Sequence, residues 1–126
     1  MGIIYTTIRL RNPYRDFPAI ELDAKVDSGA TMLVLPEAVA RELELSFIRK
    51  QTVKYANEDT AERDIVGVVE VEIVGRKGWF EAIVEPKKNY ALIGAVVMES
   101  LDLIIEPRSL GLYPNPRSDL PMAEVE

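Results

Sequence analysis

Apolar and polar residues alternate along the first part of this chain, the pattern of strands that bury one face. Ile3 to Arg11 is rich in Ile, Thr and Tyr and predicts a strand. Asn12 to Pro18 holds two prolines and predicts a turn region. From Ala19 to Val26, Ile20, Leu22, Ala24 and Val26 fall on one face, and Glu21, Asp23 and Lys25 on the other. Together these segments predict a hairpin. Asp27 to Thr31 breaks the pattern, and Met32-Leu33-Val34-Leu35 resumes as a short apolar strand. Pro36 to Leu43 then has a proline in its first turn, an early acid and good helix formers, so a short helix is expected. Val39 and Leu43, four residues apart, share its buried side.

Further on, Gln51 to Ala56 predicts a strand and Asn57-Glu58-Asp59-Thr60 a polar turn. Ile65 to Val74 carries the longest strand signal, with Gly67 inside it marking a bend or bulge. Gly75 to Gly78 predicts a turn, and Trp79 to Val84 a returning strand, which makes a second hairpin. Ala91-Leu92-Ile93 is a short buried strand ending at Gly94. Ala95 to Leu101 has helical character, Leu103 to Ile105 returns to strand, and Leu110 to Tyr113 adds a last one. Residues 1–113 are expected to form one domain and 114–126, with three prolines, a mobile tail. No tandem repeat is present. There is a loose echo, since strand, sharp turn and helix near Asp27 recur as strand, glycine and helix near Gly94.

Composition narrows the chemistry. A chain of 126 residues with an apolar fraction of 48% can build one domain with its own core. Its net charge of −6 disfavours nucleic acid, whose phosphates need a basic surface. No apolar run approaches the length of a membrane span. No basic region leads into a long apolar core at the N-terminus, so a cytoplasmic protein is expected. The chain has neither His nor Cys. That removes disulfides, thiol chemistry, most zinc sites and most nucleophile–base pairs. Without a close acidic run, neither a metal nor a cofactor is expected.

A carboxylate is therefore the natural catalytic candidate, and Asp27 stands in the best place for one. Asp27-Ser28-Gly29-Ala30-Thr31 is a tight turn that can present a carboxylate at the end of a strand. Taken alone, Asp-Ser-Gly is most often just a turn. Ser28 has no His to serve as its base, and a pair with Lys25 need not converge. Trp79 and Phe80 read as core or sheet-face residues, and Glu70 and Glu72 as a solvated strand face.

Three features stand in a fixed order: the Asp27-Ser28-Gly29-Ala30-Thr31 turn, a long hairpin with its tip near Asn57-Glu58-Asp59, and Leu92-Ile93-Gly94 running into a short helix. From Ile3 to Tyr113 this set resembles the retropepsin-like aspartic proteases, and the bacterial members more than the viral ones. The resemblance implies an all-β fold, a small closed β-barrel with one or two short helices and a flap hairpin. It implies an aspartic endopeptidase and no cofactor. Carried over, it makes Asp27 the catalytic aspartate, Ser28 the hydroxyl that braces two active-site turns, and Gly29 the glycine that lets backbone approach. Ala30 and Thr31 would lie along the substrate, as would the flap residues Ala56, Asn57, Glu58 and Asp59, within a tip running from Tyr55 to Thr60. Leu92, Ile93 and Gly94 would pack beneath the Asp27 turn and hold it. The chain departs from the viral pattern after Ala30 and at Ala95, and its flap tip has no glycine. Asn57 tolerates positive φ better than most residues and keeps a tight turn open to it.

Carboxylate-catalysed peptide hydrolysis needs two acids, one ionised to activate water and one protonated to donate to the carbonyl. This chain has one Asp-Ser/Thr-Gly turn; Asp102, Asp23 and Asp119 lack that setting. The second carboxylate is then expected from Asp27 of a second copy, in a two-fold homodimer acting on a peptide or protein substrate. Family members often use their termini as the interface, which points to Ile3 to Leu10 and Leu110 to Tyr113. Two alternatives stand beside this reading. The same fold could serve as a non-catalytic dimerisation or peptide-binding module, or an unrelated small barrel could carry Asp27 as a surface turn residue.

Overall fold

The computed structural model describes residues 3–106 and 108–116. The first strand, β1 (Ile4–Arg11), pairs antiparallel with β2 (Ile20–Val26), with Ile4 opposite Val26 and Leu10 opposite Ile20. This is the hairpin predicted from the alternation. Ile8, Leu10 and Ala24 are fully buried, while Arg9, Glu21 and Asp23 face solvent. Next come β3 (Leu33–Pro36) and the short helix α1 (Glu37–Glu42), whose N-cap is Pro36. Val39 and Leu43 are buried, as the four-residue spacing requires.

The remaining strands are β4 (Ser46–Lys54), β5 (Thr60–Ile73), β6 (Arg76–Glu85) and β7 (Ala91–Ile93). Helix α2 (Ala95–Ser100) follows, then β8 (Leu103–Glu106) and β9 (Gly111–Pro114), which form a separate two-stranded sheet. Neighbours in the main sheet run β1-β2-β7-β3-β6-β5, and β5 pairs back to β1, so six strands close into a barrel. Closure pairs each of these six strands with a neighbour on both sides. The seventh strand, β4, pairs with the first half of β5 outside that ring.

Strand β5 shows how sequence period becomes packing. Val69, Val71 and Ile73 are fully buried, and the intervening Glu70 and Glu72 point out. Outside, Glu70 pairs with Arg11 at 2.9 Å and Glu72 with Arg9 at 3.7 Å, across the seam that closes the barrel. Exposed pairs of this kind stabilise by well under about 1 kcal/mol each; the buried face carries the strand. The register shifts between Val66 and Val69, around Gly67, as the bend signal predicted.

Three elements differ from expectation. Strand β4 starts at Ser46 and not at Gln51, and nearly all of it is exposed. The β5–β6 turn is Val74-Gly75 and not Gly75 to Gly78; both residues have positive φ, 44° and 86°, so Arg76 to Gly78 belong to the strand. Pro114 ends β9, and the Asn115 amide donates to the Asp102 carbonyl at 2.9 Å. Residues 117–126 of the expected tail lie outside the described residues.

Arg76 is a second anchor for the C-terminal sheet. It is 7% exposed, and its guanidinium donates to the carbonyls of Leu101, Asp102 and Asn115. The end of α2 and the end of β9 are thereby tied to the start of β6.

The β4–β5 hairpin extends to a five-residue tip, Tyr55 to Asp59. Its amide–carbonyl bonds run from Tyr55 to Asp59 and from Glu58 to Tyr55, both at 2.9 Å. The left-handed residue is Glu58, with φ of 70°, and not Asn57. Asn57 instead accepts the Asp59 amide on its side-chain oxygen at 3.0 Å, a local bond that shapes the turn. Glu58→Gly should therefore stabilise the protein by about 0.5–1 kcal/mol, by relieving backbone strain at an exposed site. Urea unfolding measures this directly, as a higher midpoint at unchanged slope.

Candidate active site

Asp27 follows the last residue of β2, where that strand runs parallel to β7. The register sets Val26 opposite Ile93, and the Asp27 amide donates to the Ile93 carbonyl at 3.0 Å. The turn then closes on itself. The Ala30 amide donates to the Asp27 carbonyl, and the Gly29 amide donates to the Asp27 carboxylate oxygen Oδ1, both at 3.0 Å. A hydrogen bond from a backbone amide to an ionised acid is among the stronger kinds and fixes the carboxylate's rotamer. A β-carbon on Gly29 would sit 3.3 Å from that same oxygen, so the glycine keeps the space beside the acid clear. The carboxylate residue is half-buried, and Ser28, Gly29 and Thr31 are exposed.

The far side of the turn is held from Gly94. The Ala95 amide donates to the Ala30 carbonyl at 2.9 Å, and the Val96 amide to the Thr31 carbonyl at 3.0 Å. These are the first amides of α2, which have no partner within their own helix. The contact is close because Gly94 has no side chain. A β-carbon there would lie 2.7 Å from the Ala30 carbonyl oxygen and 2.8 Å from Thr31 backbone atoms. Strand β7 is thus threaded between the two strands that flank the turn, parallel to β2 and antiparallel to β3, where Val34 opposes Leu92. The turn that presents Asp27 is gripped at both ends by one short segment, Ile93 to Val96.

The residues singled out in the sequence fall into two groups. Asp27, Ser28, Gly29, Ala30 and Thr31 form one turn, with Ile93 and Gly94 bonded or packed against it and Leu92 beside β3. Ala56, Asn57, Glu58 and Asp59 form the exposed tip of the β4–β5 hairpin. Among the described residues, no group of three or more His, Cys, Asp or Glu side chains is placed to hold a metal ion. No helix among them is long and apolar enough to cross a membrane.

One polar cluster had no counterpart in the sequence reading. Glu85, at the end of β6, is 9% exposed. Its carboxylate accepts the Tyr55 hydroxyl at 2.6 Å and the Arg63 Nε–H at 3.0 Å. Arg63 also lies 5.8 Å from the centre of the Tyr55 ring. Burial, and then the bond to Glu85, raise the Tyr55 pKa above its ordinary value. The Arg63 pKa is raised as well, chiefly by its bond to Glu85. The only local signal was an acid closing an otherwise apolar strand, Ala82-Ile83-Val84-Glu85.

Comparison with known proteins agrees with this geometry. A family model described as aspartyl protease matches residues 19–101, which contain both the Asp27 turn and the segment that grips it. The solution structure of simian foamy virus (mac) protease superposes with a TM-score of 0.54 at 22% identity, covering 75% of this chain and 90% of that one. The foamy viral protease-reverse transcriptase, solved in complex with an RNA/DNA hybrid, gives 0.58 at 20% identity over 76% of this chain. There the match spans only 11% of the larger chain. At such identities the likeness is one of fold. A search of curated proteins finds no match.

Proposed function

This chain belongs to the aspartyl protease family, and from that premise we propose that it cleaves peptide bonds as a homodimer, with one Asp27 from each copy at a shared site. The observation that carries the proposal is the Asp27 turn itself: a carboxylate fixed by the Gly29 amide, gripped by Ile93 to Val96, and presented at the barrel surface. Two such acids facing one water cannot both ionise cheaply, so the pair carries one proton. The ionised member takes a proton from water as the oxygen attacks the peptide carbonyl. Its partner donates its proton to the carbonyl oxygen. The ionisations that a pH–rate profile would report belong to the pair and not to either residue.

Ser28, exposed in the single chain, would meet its copy across the two-fold axis and brace the two turns. Gly29 keeps backbone close to the acid. Ala30 and Thr31 would flank the substrate chain, and the β4–β5 hairpin would be the flap, with Ala56, Asn57, Glu58 and Asp59 over the bound peptide. The protease domain is assigned to residues 1–113. The termini are the favoured interface: β9 lies against β1, and Ile3, Tyr5, Ile104, Leu110 and Tyr113 expose apolar or aromatic surface there.

The test is concentration. Cleavage of an unfolded protein, mapped by mass spectrometry, should give a rate per chain that rises with protein concentration until dimers saturate. Sedimentation should place the dimer midpoint at the same concentration. Cleavage at a constant rate per chain by a strictly monomeric protein would overturn the shared site. A dimer that holds a peptide and releases it uncut would leave a binding module in its place.

A further inference from the structure

The buried carboxylate at the end of β6 has no part in the chemistry just described, yet it is bonded to a hairpin whose first strand lies outside the barrel ring. Tyr55 is where the hairpin tip begins, since both backbone bonds that close the tip start or end on it. Its hydroxyl reaches back to Glu85 Oε2 at 2.6 Å. Arg63, on the opposite strand of the same hairpin, holds the other oxygen, Oε1, at 3.0 Å. Glu85 itself is fixed by the barrel, because it is paired with Pro36 on β3, the strand that leads away from the Asp27 turn. One acid therefore gathers both strands of the hairpin and joins them to the wall that carries the site.

We propose that Glu85 is a positioning residue, which through Tyr55 and Arg63 sets the resting position of the β4–β5 hairpin tip and so prepares it to close on a peptide. This rests on the reading of the hairpin as a flap. The other polar contacts of the hairpin are of a different kind. Lys50 with Asp64 and Lys54 with Glu58 lie within the hairpin, and Arg49 with Glu81 is an exposed pair. Exposed pairs are weak and easily exchanged for water. The Glu85 cluster is shielded, charge-assisted and satisfied on both oxygens. A tip held near its bound position loses less freedom when substrate arrives, and that saving appears as tighter binding.

Tyr55→Phe is the probe, because it deletes one hydroxyl and leaves the ring under Arg63 and the Arg63–Glu85 pair in place. Glu85→Gln is the second variant; it keeps an acceptor for Tyr55 and removes the charge. Hydrogen exchange should quicken about tenfold at the amides of Tyr55, Glu58 and Asp59 in Tyr55→Phe, with β3 and β7 unchanged. On a cleaved peptide the same variant should raise KM about fivefold and change kcat less than twofold. Glu85→Gln, whose amide leaves one acceptor oxygen for two donors, should loosen the tip at least as much as Tyr55→Phe in both measurements, and wild-type behaviour of Glu85→Gln would also overturn the proposal. Unchanged exchange at the tip in Tyr55→Phe overturns the proposal, and so does a kcat loss without a KM change. The exchange measurement needs no catalysis, so a wild-type protein that cleaves nothing would sink the protease reading and leave the tether still decided.

Discussion

Asp27→Asn should reduce peptide cleavage by about a thousandfold or more, with the fold and the dimer intact. The fold should survive because asparagine retains the side-chain oxygen that accepts the Gly29 amide, the one side-chain bond that shapes the turn. The chemistry should not survive, because an amide neither takes a proton from water nor shares one with its neighbour. Wild type and variant, compared on the same unfolded substrate from acid to neutral pH, give the result directly. Equal cleavage by both would remove Asp27 from the mechanism. Mixing sharpens the test. If equal amounts of the two chains exchange freely, about a quarter of the dimers hold two carboxylates, and activity should fall to about that fraction. A fall to only one half would mean that each chain works alone.

Gly94→Ala should cost about 1–3 kcal/mol of stability and about a hundredfold in cleavage, although the residue is buried behind the turn. Its backbone is extended, with φ of −97°, so alanine is conformationally acceptable there. The cost comes from space alone. The added carbon would meet backbone atoms of Ala30 and Thr31 at 2.7 and 2.8 Å, well inside contact distance. Those atoms cannot swing aside as a flexible side chain could, since the Ala30 and Thr31 carbonyls are bonded to the Ala95 and Val96 amides. The turn must shift as a unit, and the carboxylate shifts with it. Thermal unfolding and cleavage kinetics on one preparation read both effects. A stable Gly94→Ala protein with full activity would show that the grip on the turn is not needed.

Much of this architecture was legible because burial enforces period. Val69, Val71 and Ile73 alternate with Glu70 and Glu72 since one face of β5 is inside a closed barrel and the other is not. The Asp27 turn and Leu92-Ile93-Gly94 stood out through residue types that only special backbone or close packing explains. Where those constraints relax, the sequence fell silent. Phe47, Ile48, Arg49 and Lys50 are all exposed, because β4 lies outside the barrel ring, so no alternation announced the start of that strand. Val74 and Glu58 adopt positive φ, which their side chains disfavour; the hairpins around them impose it. The Glu85 cluster was invisible for another reason. Tyr55 sits in the hairpin tip, Arg63 on β5 and Glu85 on β6, and only the folded register brings them together.

Strand β7 has a consequence for the birth of the protein. The segment that grips Asp27 emerges from the ribosome after β1 to β6 have been made. Until it takes its place between β2 and β3, the Ala30 and Thr31 carbonyls lack the Ala95 and Val96 amides they accept in the folded chain. Pairings between such distant stretches of chain form slowly, because loop closure precedes their reward. A nascent chain that ends before β7 thus carries Asp27 without the segment that bonds to both ends of its turn.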